Sequence, residues 1–186
     1  PVRGMRPHLG GLGKGYCADA VAALLRARGV TSALICMSGD IYALGNRPDG
    51  TAWRVGVQDP RRPDDPSALI AVLQLHDEAL STSGNYQRYI LIGGRKYSHI
   101  VDPRTGRTAE DVPSVTVIGP DTLTTDVLGT TLSVMGTKDG LQFVESYPGI
   151  EALFINFDDR DVAILTRSSG FSAYEVKDKG APDYRR

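Results

Sequence analysis

Short apolar and β-branched runs, separated by turn sequences, recur along the chain from Trp53 onward. The clearest are WRVGVQ (53–58), LIAVLQL (69–75), VPSVTVIG (112–119), ALFINF (152–157) and VAILT (162–166). Runs of this length and composition indicate β-strands, and the turn residues between them allow neighbouring strands to pair. The chain is therefore expected to fold around a sheet.

Two turn sequences indicate that much of the pairing is antiparallel. Gly93-Gly94 divides RYILIGGRKYSHIV (88–101) into two alternating segments, which predicts a two-residue hairpin turn. DDRD (158–161) predicts a second hairpin turn between the last two strands. DPRRPDDP (59–66) is too rich in proline and charge to pair, and it predicts a surface loop.

Helical periodicity marks two regions. GYCADAVAALLRARG (15–29) spaces Val21, Leu24 and Leu25 as one face, and it leads into VTSALICM (30–37), which predicts a buried strand. TLTTDVLGTTLSVMG (122–136) predicts a second helix, followed by a shorter one over GLQFVESY (140–147). We expect a single α+β domain with a mixed, largely antiparallel sheet and helices packed on it.

A formal charge of −1 over 186 residues argues against nucleic acid as a partner, because no basic excess is available to neutralise phosphates. The sequence has no apolar stretch of the roughly 18 residues that cross a bilayer and no signal-peptide pattern. Cys17 and Cys36 lie in apolar sequence, so we expect two buried thiols. Because the chain starts at Pro1 without an initiator methionine, we expect residues to precede it in the full protein.

Asp126 and Thr130 are four residues apart in the second helical region, so their side chains share one face, with Cβ atoms about 5–6 Å apart. A carboxylate and a hydroxyl at this spacing can provide two oxygen ligands to Mg²⁺, which retains several waters and often binds substrate phosphates. The alternative is that Asp126 only caps or charges the first turn of its helix.

The segment HLGGLGKGY (8–16) joins glycine-rich backbone to a helix N-terminus. Backbone N–H groups, the helix dipole and the Lys14 ammonium could together bind a pyrophosphate. The segment matches neither a Walker A loop nor a dinucleotide fingerprint. A glycine-rich turn with one solvated lysine is the alternative.

The segment KYSHIVDPRTG (96–106) places a histidine and an aspartate just before a turn. Pro103 ends strand pairing and Gly106 permits a left-handed turn, so His99 and Asp102 are expected at the rim of the sheet. An imidazole there can accept a proton from an attacking hydroxyl near neutral pH. The alternative is a packed histidine, with Asp102 making an Asx turn.

Three segments together resemble, in order and spacing, the ApbE-like flavin transferases, also called FAD:protein FMN transferases. They are HLGGLGKGYCADAVAALLRARGVTSALICMSGDIYALG (8–45), STSGNYQRY (81–89) with KYSHIVDPRTGR (96–107), and TTDVLGTTLSVMG (124–136). The HxxDPxTG element combined with the later DxxxT element carries most of the resemblance. It implies an ApbE/T-fold-like architecture and a flavin transferase domain over residues 1–186.

The resemblance implies a Mg²⁺-dependent enzyme that cleaves the pyrophosphate of FAD, transfers FMN to a Thr or Ser hydroxyl of an acceptor flavoprotein, and releases AMP. The acceptor would be a protein such as a membrane redox-complex subunit, and the enzyme itself a periplasmic or membrane-associated lipoprotein. The residues that the resemblance assigns are His99 as catalytic base; His8, Lys14, Ile100 and Val101 along the flavin nucleotide; and Gly11, Asp126, Gly129 and Thr130 around the metal.

Two departures from the family pattern bear on this assignment. His8 stands where family members usually have an acidic residue that contacts the flavin nucleotide. Family members are also usually longer, with an N-terminal portion that supplies part of the flavin pocket, so we expect this chain to be the C-terminal part of such a protein. Two alternatives stay open: a non-catalytic flavin-binding or maturation module, and an FAD pyrophosphatase that forms FMN and AMP.

Overall fold

The computed structural model describes residues 9–86 and 89–177, together with Arg3. Its longer helices are α1 (Gly13–Ala27) and α2 (Thr122–Glu145), and short 3-10 turns lie at Leu9–Gly11 and Phe171–Ala173. The strands are β1 (Ala33–Met37), β2 (Asp40–Leu44), β3 (Trp53–Gln58), β4 (Leu69–Leu75), β5 (Glu78–Gly84), β6 (Tyr89–Ile92), β7 (Arg95–Ser98), β8 (Ser114–Gly119), β9 (Glu151–Phe157) and β10 (Ala163–Arg167).

Six strands form the central sheet, in the order β1-β2-β5-β8-β9-β10, and the remaining strands form two hairpins, β3–β4 and β6–β7. On one face of the sheet, Leu128 and Leu132 of α2 pack against Val115 and Val117 of β8. On the opposite face, Leu73 and other apolar residues of β3–β4 pack against the sheet. The molecule is therefore layered as helices, central sheet and hairpin, with apolar side chains between the layers.

Helix α1 covers the β1–β2 end of the sheet with small side chains. Ala18 and Ala22, one turn apart, are buried against Ile35 and Tyr42. Gly15 meets the start of α2 so closely that an added Cβ would lie 2.4 Å from the carbonyl oxygen of Thr122. Glycine is therefore the residue that allows the two helices to approach at this point.

The start of α2 is held by two carboxylates. Asp121 is the N-cap, and its Oδ1 accepts a hydrogen bond of 2.7 Å from the backbone N–H of Thr124. Asp19 of α1 accepts hydrogen bonds from the N–H groups of Thr122 and Leu123, each at 2.8 Å. The first four N–H groups of a helix have no partner within the helix, and burying them unpaired destabilises the fold. The side chains of Asp121 and Asp19 accept hydrogen bonds from three of these groups in α2.

The predicted turns and the break in the second helical region are confirmed. Gly93 and Gly94 have φ of 58° and 81° and join β6 to β7, as the two-residue hairpin turn requires. Gly136, with φ of 81° and ψ of 168°, interrupts α2 between the two helices that the sequence predicts. The 59–66 loop connects β3 to β4, and β9 pairs with β10 across the DDRD turn.

The predicted α+β fold is confirmed, although the sheet, expected to be mixed, is antiparallel at every described strand pair. The prediction of a buried strand over VTSALICM is wrong, because β1 is an edge strand and Leu34 is 40% exposed. The prediction of two buried thiols is also wrong: Cys36 on β1 and Cys17 on the outer side of α1 are both exposed. Leu24, predicted on the packed face of its helix, is also exposed, because the alanines of α1 face the sheet.

None of the helices in the described part of the chain combines the length and apolarity needed to cross a membrane.

Candidate functional site

One cavity of about 550 Å³ lies where the N-terminus of α1 meets α2 and the ends of β2 and β5. Five parts of the chain form its wall: Gly10, Gly11 and Lys14; Ser38, Gly39 and Asp40; Thr82, Ser83 and Gly84; His99, Ile100 and Val101; and Asp126 with Thr130. The fold therefore brings the three sequence motifs to one place, although they are spread over more than a hundred residues of sequence. His8 lies outside the described residues.

The carboxylate of Asp126 is tied to the beginning of α1. Its Oδ1 accepts a hydrogen bond of 3.0 Å from Lys14 Nζ, and its Oδ2 accepts one of 3.1 Å from the backbone N–H of Gly15. Asp126 is buried, and it lies beyond the first turn of α2, where Asp121 is the cap. The alternative in which Asp126 caps its own helix therefore does not hold. The carboxylate of Asp126 lies instead between α1 and α2, at the wall of the cavity.

Lys14 also contacts a second buried carboxylate that the sequence analysis missed. Its Nζ lies 2.6 Å from Oδ2 of Asp40, which is 3% exposed. Burial raises the pKa of Asp40 above its ordinary value, although the contacts with Lys14 and Ser81 oppose this. Burial lowers the pKa of Lys14, but the hydrogen bonds and charges of Asp40 and Asp126 outweigh it and hold that pKa above its usual value.

The position of Asp40 follows from a tight turn and from strand alternation. Ser38 and Gly39, with φ of 52° and 97°, form the two-residue turn between β1 and β2, and both line the cavity. Asp40 is the first residue of β2 and points to the same side as Tyr42 and Leu44, which face α1. A charged residue in phase with buried apolar residues is the signal from which the sequence could have identified it.

The hydroxyl of Thr130 differs from its neighbours on α2. Thr131 Oγ1 donates to the carbonyl oxygen of Val127, and Ser133 Oγ donates to that of Gly129, at 2.9 and 2.8 Å. Thr130 makes no side-chain hydrogen bond to another described residue. A Cβ added to Gly11 would lie 3.8 Å from Thr130 Oγ1, so the glycine-rich turn and this hydroxyl are adjacent across the cavity.

Gly129 is buried directly behind this wall. An added Cβ would lie 2.8 Å from Ser83 Oγ, so glycine allows α2 to lie against the end of β5. Its carbonyl oxygen already accepts the hydrogen bond from Ser133. The structure thus gives Gly129 a packing role, and it is not among the residues that line the cavity.

The backbone at Ile100-Val101 borders the cavity in an extended conformation. Val101 forms an isolated antiparallel bridge with Thr108, made by hydrogen bonds from Asp102 N to Arg107 O (2.8 Å) and from Ala109 N to Ile100 O (2.9 Å). In a pair of this kind, the N–H and C=O groups of Val101 itself point away from the bridge. His99 precedes this segment, is exposed, and lines the same cavity.

Asp102 belongs to the turn that follows, as the Asx-turn alternative predicts. Its Oδ1 accepts hydrogen bonds from the backbone N–H and from Nε of Arg104, each at 2.9 Å, and its Oδ2 accepts one from Nη2 at 3.0 Å. These contacts, first those of the Arg104 side chain, lower the pKa of Asp102. Gly106 closes the turn with a φ of 69°. Asp102 lines a neighbouring cavity of about 700 Å³ rather than the one that contains His99.

The donor atoms on the cavity wall fit a hard cation. Asp40, Asp126, Thr82, Ser83 and Thr130 line it, and carboxylate and hydroxyl oxygens are ligand types that Mg²⁺ prefers. No group of three His, Cys, Asp or Glu side chains comes together as a metal site anywhere in the described ranges. An ion here would depend on a small number of protein oxygens, with waters and ligand oxygens completing its shell.

Comparison with known proteins gives a consistent family match. The model of the ApbE family matches residues 1–154. The chain is 36% identical over 166 residues to the FAD:protein FMN transferase of Treponema pallidum (strain Nichols), covering 84% of this chain and 45% of that protein. It is 34% identical over 169 residues to the FAD:protein FMN transferase of Salmonella typhimurium, covering 90% and 47% of the two chains.

Solved structures show the same similarity in three dimensions. The ApbE protein of Thermotoga maritima superposes with a TM-score of 0.81 at 32% identity, covering 94% of this chain and 55% of its own. The flavin transferase ApbE of Vibrio cholerae gives a TM-score of 0.75 at 33% identity, covering 88% and 51%. The chain spans about half the length of the curated relatives it matches.

Proposed function

Because this chain belongs to the ApbE family, we propose that it binds FAD in the cavity described above and transfers FMN to a Thr or Ser hydroxyl of an acceptor protein, releasing AMP. Relatives that bear the name FAD:protein FMN transferase support the reaction. The observation that carries the proposal is the single cavity that unites the glycine-rich turn, Lys14, the His99 segment and the Asp126–Thr130 pair.

In this proposal the acceptor hydroxyl oxygen attacks the phosphorus of the FMN half of FAD. The bond from that phosphorus to the bridging oxygen breaks, and AMP departs with the bridging oxygen. His99 accepts the hydroxyl proton, which is a suitable task for an imidazole near neutral pH. Lys14, which borders the cavity, and backbone N–H groups near the start of α1 would bind the oxygens of the diphosphate.

The residues proposed to hold Mg²⁺ are Asp126, Thr130 and the carbonyl of Gly11. Bound there, the ion would neutralise charge on the diphosphate and on the departing AMP. Gly129 has the weakest support as a ligand, because its carbonyl already accepts a hydrogen bond from Ser133. The backbone N–H and C=O of Val101, which point away from the Thr108 bridge, are proposed to bind the nucleotide.

The test measures AMP and protein-bound flavin separately. The protein is incubated with FAD, with and without Mg²⁺, and with an acceptor peptide that contains a threonine. Chromatography measures the AMP released, and in-gel fluorescence measures the flavinylated peptide. We expect both products only with Mg²⁺, and a loss of roughly a hundredfold or more in Asp126→Asn. The control is Asp64→Asn, which removes the same charge from an exposed position in the 59–66 loop.

Each result has a distinct meaning. AMP release that persists in Asp126→Asn would contradict the cation role of this carboxylate. AMP and free FMN without labelled peptide would support the pyrophosphatase, in which water replaces the acceptor hydroxyl. FAD binding without AMP release, detected by calorimetry, would support the non-catalytic module.

A further inference from the structure

The ammonium of Lys14 lies between two buried carboxylates on different elements. Its Nζ is 2.6 Å from Oδ2 of Asp40 on β2 and 3.0 Å from Oδ1 of Asp126 on α2. Both aspartates are at most 4% exposed, whereas the lysine side chain is 36% exposed and borders the cavity. One cation therefore neutralises two anions at the site where the proposed function requires a second cation.

We propose that Asp40 is a positioning residue, which retains the Lys14 ammonium in the cavity when Asp126 binds a divalent cation. The inference rests on the proposed cation role of Asp126. It concerns a carboxylate to which neither the sequence motifs nor the family resemblance assigns a part.

Lys14 and a divalent cation would compete for the carboxylate of Asp126. A cation that binds Oδ1 of Asp126 competes with Lys14 for that oxygen, and its charge repels the ammonium. A lysine with no other anionic partner would extend into solvent, because its aliphatic chain is long and flexible and its ammonium group is strongly hydrated. Asp40 provides that partner, so the ammonium remains available to diphosphate oxygens.

The location of Asp40 suits a fixed counter-ion. It begins β2, which is paired on both sides, by β1 and by β5. The tight Ser38-Gly39 turn precedes it, and its carboxylate is buried within the wall of the cavity. Its contact with Lys14 is also the shorter of the two.

A double-mutant cycle tests the inference with Mn²⁺ as the probe and no FAD present. Four proteins are compared: wild type, Asp40→Asn, Lys14→Met and the double variant. Free Mn²⁺ is measured by electron paramagnetic resonance, and thermal unfolding confirms that each protein is folded. Asp64→Asn is the matched control for loss of one negative charge.

We expect Asp40→Asn to weaken Mn²⁺ binding roughly tenfold, because Asp126 is then the remaining anionic partner of Lys14, and Mn²⁺ must compete with the ammonium for it. Lys14→Met should tighten binding, since the competitor is gone. In the Lys14→Met background, Asp40→Asn should weaken binding only about threefold, through the loss of a nearby charge. Asp64→Asn should bind Mn²⁺ as the wild type does.

Two results would overturn the inference. An equal loss on Asp40→Asn in both backgrounds would make Asp40 a direct ligand, and no loss in the wild-type background would give it no role. If Asp40→Asn does not fold, Asp40→Glu replaces it, with weaker binding expected only when Lys14 is present. Absence of Mn²⁺ binding to the wild type would instead contradict the cation role in the proposed function, and the inference with it.

Discussion

The backbone N–H of Gly15 donates a hydrogen bond to Oδ2 of Asp126 across the junction of α1 and α2, over 3.1 Å. This contact orients the carboxylate from the N-terminal end of α1, where the helix dipole favours negative charge. The same glycine lies against the backbone of Thr122. The packing of the two helices and the position of the site carboxylate are therefore parts of one arrangement.

Gly15→Ala should destabilise the protein and weaken ligand binding together. The new Cβ would lie 2.4 Å from the Thr122 carbonyl oxygen and 2.8 Å from Leu123 Cα. Both are backbone atoms, so no change of side-chain rotamer can relieve the clash. Overpacking of this kind costs about 1–3 kcal/mol. Urea unfolding measures the loss of stability, and Mn²⁺ titration measures the displacement of Asp126.

Gly13→Ala is the control, because an added Cβ there meets no atom within 4 Å. Alanine also favours a helix more than glycine does, so this variant should be as stable as the wild type or slightly more so. Equal behaviour of the two alanine variants would contradict the close approach of the helices.

Thr130→Val should weaken Mn²⁺ binding and reduce AMP release without destabilising the fold. Valine retains the shape of threonine but lacks the hydroxyl, and Thr130 makes no side-chain hydrogen bond to another described residue that would be lost. Thr131→Val is the control, since Thr131 Oγ1 donates to the carbonyl of Val127 within the helix. If Thr131→Val impaired binding as much as Thr130→Val did, the assignment of Thr130 as a ligand would be wrong.

Asp19→Ala should lower the free energy of unfolding by about 1–2 kcal/mol, the usual effect of losing a helix cap. Its two oxygens accept the N–H groups of Thr122 and Leu123, which no other group in the described chain satisfies. Chemical denaturation measures the change, with Asp64→Ala, at an exposed position in the 59–66 loop, as the control. A loss no greater than that of the control would show that Asp121 alone is a sufficient cap.

The sequence predicts both helices, the glycine turns and most of the strands, because each depends on local periodicity. It does not identify β5, since ALSTSG combines small and polar residues and lacks the β-branched alternation of the other strands. This strand lies at the centre of the sheet, and its small residues Ser83 and Gly84 make room for the cavity. The small and polar residues of β5 are therefore explained by the space that the cavity requires, and not by a preference for strand conformation.

In the candidate site, too, local sequence predicts some features and not others. The motifs identify Lys14, Asp126 and Thr130 by residue type and spacing. Their convergence, and the participation of Asp40, depend on strand order and on helix packing, which local sequence does not encode. The exposure of Cys17 and Cys36 has the same origin, since their apolar surroundings belong to an outer helix face and an edge strand.

Acidification should remove part of the stability of the fold through Asp59. This buried carboxylate accepts hydrogen bonds from Arg61 Nε and Nη2, at 3.0 and 2.6 Å, and the hydrogen bond to the Arg61 side chain, more than any other contact, lowers its pKa. Arg61 also donates to the carbonyl of Asp161, so the pair joins the 59–66 loop to the β9–β10 turn. Because the folded pKa is depressed, this stabilisation is complete above the ordinary aspartate pKa of about 3.9 and is lost as the pH falls through the lower folded value.

Asp59→Asn should therefore be less stable than the wild type at pH 7, and the difference should narrow as the pH falls below about 4. Urea unfolding at a series of pH values measures both free energies. Asp64→Asn, which removes an exposed carboxylate from the same loop, is the control and should be nearly as stable as the wild type. A difference between Asp59→Asn and the wild type that stays constant down to the lowest pH would show that the Asp59–Arg61 contact does not depend on the charge of the carboxylate.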